Sequence, residues 1–67
     1  MGLNRYRFSY ANIPKEEFQT LSEKIEAWSF NGLHYNWNEK IVEFYLDERE
    51  NPNIFNIPNY CNLVQIL

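Results

Sequence analysis

Cys61 is the only thiol in this chain and His34 the only imidazole, and together they are its best candidates for nucleophilic chemistry. A cysteine attacks as its thiolate, so it needs a base within hydrogen-bond reach and a third group to orient that base. Ten asparagines could supply the orienting amide in almost any arrangement, so their presence discriminates nothing. Cys61 lies in an apolar stretch bounded by Pro58, Asn59 and Asn62, where a buried, inert thiol is the expected outcome. One cysteine and one histidine also exclude an internal disulfide and any ordinary structural zinc site, so neither a metal nor a cofactor is expected.

The carboxylates carry no stronger signal. Glu16, Glu17, Glu23 and Glu26 have the spacing of a solvated helix face, and Asp47-Glu48-Arg49-Glu50 reads as a charged turn. A hydrolytic pair needs one carboxylate held in an apolar pocket, which raises its pKa, and no segment marks such a pocket. Gly2 and Gly32 are the only glycines, too few for a phosphate-cradling loop. The expectation is a protein that is not an enzyme.

Arg5-Tyr6-Arg7-Phe8-Ser9-Tyr10 interleaves cations with rings, as single-strand nucleic-acid binders do. In an extended strand, however, alternate side chains leave on opposite faces, which parts the cations from the rings. Six basic residues against nine acidic ones give a net charge of -3, which further disfavours a nucleic-acid partner. The converse role, acidic groups imitating a phosphate backbone, is weakened by Lys15, Lys24 and Arg49, which interrupt the carboxylates.

These residues must be positioned by very little protein. Sixty-seven residues allow a single domain, 1–67, with 45% hydrophobic and 18% aromatic content. A chain of this size buries only about 60% of its unfolded surface, so the core is marginal. No apolar run has the length of a signal peptide. The uncharged stretch from Asn51 to Leu67 holds five Asn and two Pro, which argues against a membrane span. A lone thiol is simplest in a reducing compartment, so the expected location is cytoplasmic, in a host cytoplasm if the gene is carried by a phage. The abundance of Asn, Ile, Tyr, Phe and Lys is that of an AT-rich genome.

Period two over Asn4–Tyr10 predicts a strand with Tyr6, Phe8 and Tyr10 inward and Arg5, Arg7 and Ser9 outward. A helix is expected from about Pro14 to Asn31. Asn12 would cap its start, Gly32 would end it, and Phe18, Leu21, Ile25 and Trp28 would form its buried stripe. Leu33–Trp37 and Ile41–Leu46 alternate as the arms of a hairpin about Asn38-Glu39, with Val42, Phe44 and Leu46 inward. Pro58 rules out a central strand in Ile54–Tyr60, which is read as a loop pinned by Phe55 and Ile57. Asn62–Leu67 supplies a final strand.

The order β-α-β-β-loop-β makes an α+β two-layer sandwich, one helix on a small, mainly antiparallel sheet of three to four strands. One helix covers one face. The other is expected to present Arg5, Arg7, His34, Asn36, Ile41, Glu43 and Tyr45, with the arginines pairing with Glu43. That surface can simply face water, but Tyr and Arg are also the usual anchors of interfaces. The residues that fit a partner best are Arg5, Arg7, His34 and Tyr45 on the sheet, with Phe55 and Tyr60 in the loop. The expected role is a protein–protein interaction module that binds a larger host protein, itself as a homodimer, or both. A small phage or mobile-element inhibitor suits the size and composition. The alternatives are a homodimeric accessory or antitoxin-like subunit, and a weak single-stranded nucleic-acid binder.

Overall fold

The alternation of the first segment does produce a strand. In the computed structural model, which describes residues 2–67, β1 (Leu3–Ser9) buries Tyr6 and Phe8 and turns Arg5 and Arg7 to the other face. It is followed by α1 (Lys15–Trp28), β2 (Phe30–Asn36), β3 (Ile41–Asp47) and β4 (Val64–Ile66). The four strands form one antiparallel sheet in the order β2-β3-β1-β4. β1 and β2 both run against β3, so they are parallel to each other, and α1 is the crossover that connects them. This is the α+β sandwich expected from the sequence.

The core follows from two periods meeting. Val42, Phe44 and Leu46, alternate residues of the central strand β3, are fully buried, as is Ile25 on α1, with Leu21 one helical turn before it also buried. Tyr6 stacks on Phe44 at 5.6 Å between ring centres, and Phe8 meets the same ring edge-on at 6.1 Å. No helix among the described residues is long and apolar enough to cross a membrane.

Both helix ends differ from expectation. Pro14, not Asn12, occupies the capping position, and no side chain caps the first turn; the Pro14 carbonyl accepts from the Phe18 amide at 2.9 Å. At the other end the helix stops at Trp28, three residues before Asn31. Ser29 is already extended, its amide donating to the Ile25 carbonyl at 2.8 Å. Asn31 and Gly32 do take left-handed conformations, φ +63° and +72°, but inside β2 and not as a helix cap. There they form a bulge, because Phe30 lies opposite Tyr45 while Leu33 lies opposite the next residue, Phe44. Pairing with β3 wins over a last helical turn because it packs Leu33 and Tyr35 against the core. Trp28, placed on the buried stripe by helical spacing, is left 58% exposed.

The hairpin turn is also longer than Asn38-Glu39 alone. It spans Trp37–Lys40, with the Glu39 amide donating to Asn36 Oδ1 at 3.1 Å and Lys40 at φ +57°. Trp37, expected on the core side, lies beyond the strand and is 67% exposed.

The segment after β3 holds the largest departure. Expected as an irregular loop pinned by Phe55 and Ile57, it is indeed pinned by them but forms two 3-10 turns, Pro52–Phe55 and Asn59–Cys61. Asn51 Oδ1 accepts from the Asn53 amide at 2.9 Å to start the first. Asn56 and Asn62 end the two turns at φ +54° and +57°, a region that asparagine tolerates better than most residues. These turns carry Phe55 and Cys61 into the core, where the Phe55 ring meets Phe44 edge-on at 5.9 Å. Phe55 is therefore a core residue and not the surface contact expected of it. Helix and turns share the covering of one sheet face, and the other face is left bare.

Candidate functional site

Cross-strand register places the side chains of the bare face in rows. Phe30, Tyr45, Arg5 and Ile66 lie side by side across β2, β3, β1 and β4. The next row is His34, Glu43, Arg7 and Val64, and the third is Asn36, Ile41 and Ser9. Leu3 extends the first end of β1 beside them, and a shallow recess there is lined by Leu3, Arg5, Phe30, His34, Glu43 and Tyr45. One end of the face is thus apolar and aromatic, while its middle is charged.

Four residues expected to meet a partner, Arg5, Arg7, His34 and Tyr45, do share this face. Arg5 Nη2 donates to Glu43 Oε1 at 3.2 Å, the cross-strand pair expected, though along the diagonal, since Glu43 stands directly opposite Arg7. Arg7 is exposed and makes no ion pair among the described residues. Arg5 Nε is shielded and has no partner among them either. The His34 ring meets Tyr45 edge-on at 5.9 Å, which restricts both rings. Tyr60 is exposed in the second 3-10 turn and belongs to no strand row, and Phe55 lies in the core.

Sequence reasoning missed Leu3, Phe30 and the β4 pair Val64 and Ile66 as members of the face. Phe30, at 56% exposure, was assigned to the end of the helix. The usable signal was Asn31-Gly32, which fits a bulge between strand residues as well as a helix stop. Val64 and Ile66 alternate with Gln65 over only three strand residues, too short a run to fix a register.

Cys61 is buried among the core side chains, while His34 projects from the opposite side of the sheet, so the two do not form a nucleophile and base. Burial pushes the Cys61 thiol above its ordinary pKa, away from the thiolate. No three His, Cys, Asp or Glu side chains converge as metal ligands among the described residues. Asp47 is held below the usual carboxylate range by hydrogen bonds from the Arg49 side chain and amide. That pair sits at an exposed turn and shapes the end of β3.

The face thus carries apolar and aromatic side chains beside Arg5, paired with Glu43, and Arg7, which makes no ion pair among the described residues. In comparisons with protein-family models, curated proteins and solved structures, this chain matches none.

Proposed function

We propose that this chain is a non-enzymatic protein-binding domain whose docking surface is the bare sheet face. The observation that carries the reading is the row Phe30–Tyr45–Arg5–Ile66, with Leu3 at its end and Val64 in the row beside it. Leu3, Phe30 and Val64 are all exposed there, in a chain whose core is otherwise closed by α1 and the 3-10 turns. Aromatic residues and arginine dominate binding energy when they are desolvated at the centre of an interface, and Tyr45 and Arg5 hold that central position. Arg7 is exposed and makes no ion pair among the described residues, although Glu43 stands opposite it across the strands, so its guanidinium can be offered to a partner's carboxylate.

The partner in this reading is a larger cytoplasmic host protein, which the domain blocks by occupying a surface. The abundance of Asn, Ile, Tyr, Phe and Lys is the residue usage of an AT-rich genome, which is compatible with a phage or mobile-element origin. Occlusion asks for a complementary surface and no catalytic group. The test is capture with matched variants: wild type should retain one partner at a fixed stoichiometry. The Tyr45→Ala/Arg7→Glu double variant should lose it while keeping its circular dichroism spectrum. Equal capture by the two proteins overturns the reading. A homodimer formed by the same face is excluded by light scattering at the monomer mass of 8.2 kDa and required by twice that value.

A single-stranded nucleic acid is the second reading, favoured by one observation. Although Arg5 and Arg7 are parted from Tyr6 and Phe8, the sheet brings them beside Tyr45, Phe30 and His34. The Arg5–Glu43 pair and the aliphatic Leu3, Val64 and Ile66 weigh against it. Oligonucleotide retention that falls steeply between about 50 and about 200 mM salt would decide for it.

A further inference from the structure

A second recessed surface lies near the hairpin turn, on the helix side of the molecule, and shares no residue with the bare face. Three rings, Tyr10, Phe18 and Trp37, line it, and a fourth, Tyr35, supports them. Tyr10 stacks on Phe18 at 4.5 Å and 15°, and Trp37 stacks on Tyr35 at 4.6 Å and 4°. The two stacks meet edge-on, Tyr10 to Trp37 at 6.1 Å and Phe18 to Tyr35 at 6.2 Å. Beside them opens a trough of about 540 Å³ lined chiefly by Tyr10, Ile13, Lys15, Phe18, Trp37 and Lys40. The Tyr10 amide donates to the Lys40 carbonyl at 2.9 Å, which fixes the strand end against the turn.

Charge sets this trough apart. The chain has nine acidic residues and six basic ones, yet two lysines and no carboxylate line it. The recess on the other flank of α1 is the opposite case, carrying Glu16 and Glu17 with Lys24. Tyr10 Oη is shielded from solvent and has no hydrogen-bond partner among the described residues, so Tyr10 offers the trough its ring and not its hydroxyl.

We propose that this trough binds a short acidic peptide segment bearing one aromatic or large aliphatic anchor. The anchor packs on Trp37 and the floor made by Ile13 and Phe18. The flanking carboxylates meet Lys15 and Lys40. Trp37 loses little freedom on binding because its ring is already stacked. A row of stacked bases is the competing anionic ligand, but two cations and a partly aliphatic floor serve an apolar side chain better.

The probe is a fluorescein-labelled peptide of glutamates around one central phenylalanine, followed by fluorescence anisotropy. Saturable binding is expected, weakened about tenfold or more when the central residue is alanine, and equally by Trp37→Ala. Lys15→Glu with Lys40→Glu should abolish binding, and wild-type affinity should fall as salt rises. Trp37 is exposed and both lysines are at the surface, so circular dichroism should show each variant folded. Tyr45→Ala should leave peptide binding unchanged, which keeps this site separate from the sheet face. Failure to saturate, equal binding of a lysine-for-glutamate peptide, tighter binding of oligothymidylate, or no effect of the lysine reversals would overturn the proposal. So would self-association that Trp37→Ala removes, since a second copy would then be the occupant.

Discussion

Phe55→Ala tests how the C-terminal third of the chain is used. Phe55 is 2% exposed and its ring meets Phe44 edge-on at 5.9 Å, so truncation empties a space at the centre of the core. Replacing a buried phenylalanine by alanine costs about 3–5 kcal/mol, and the cost is highest where the surroundings cannot collapse. Collapse is restricted here, because Pro52 and Pro58 and the left-handed Asn56 and Asn62 constrain the turns that carry the ring. A chain of this length has about 3–10 kcal/mol of stability in total, so the variant should be largely or wholly unfolded. Urea denaturation followed by circular dichroism reads the effect directly. With a slope of about 1 kcal/mol per molar urea, the midpoint should move down by about 3 M or vanish into the baseline. Phe55→Leu should keep the domain folded with a smaller loss, and Tyr60→Ala, at an exposed position of the second turn, should cost under about 0.5 kcal/mol. A loss below about 1 kcal/mol for Phe55→Ala would refute the placement of these turns in the core.

Gly32→Ala should destabilise the fold by about 1–2 kcal/mol in the same assay, through backbone strain alone, because a Cβ there meets nothing within 4 Å and φ is +72°. No loss would mean that the bulge is absent. Cys61 should resist a thiol-specific reagent in the native protein and react at once in concentrated guanidinium, since it is buried and its pKa is raised; equal rates would contradict its packing. The Asp47 carboxyl, depressed by Arg49, contributes stability that is present above the ordinary carboxylate pKa and lost as pH falls through the lower folded value. Arg49→Gln should therefore raise the Asp47 titration toward its ordinary range in an NMR pH series, and an unchanged value would remove the interaction.

What the sequence made legible was what depends on period. Tyr6 and Phe8 in β1 and Val42, Phe44 and Leu46 in β3 alternate strictly, and each is buried. The outward partners Arg5, Arg7, His34 and Tyr45 follow by elimination, so most of the bare face could be drawn before its neighbours were known. Boundaries were harder. Asn31-Gly32 carries the same local signal for a helix stop and for a bulge, and only the pairing of Leu33 with Phe44 chooses between them. Phe55 carried two readings, as the residue pinning its loop and as a surface contact, and the sequence did not choose between them. Pro and Asn announce turns, but whether a turn lies on the surface or folds inward depends on the room left beside α1, which is a tertiary property. Trp28 and Trp37 fell outside the core because the helix and the strand each ended sooner than periodicity implied.

The central claim is that the bare sheet face is where a partner docks. Site-specific photocrosslinking measures this most directly: a photoreactive phenylalanine analogue at Tyr45 is compared with one at Glu26, on the exposed side of α1. The account predicts one heavier adduct of fixed mass from the Tyr45 position and none from Glu26. No adduct at Tyr45, or equal adducts from both positions, would contradict it.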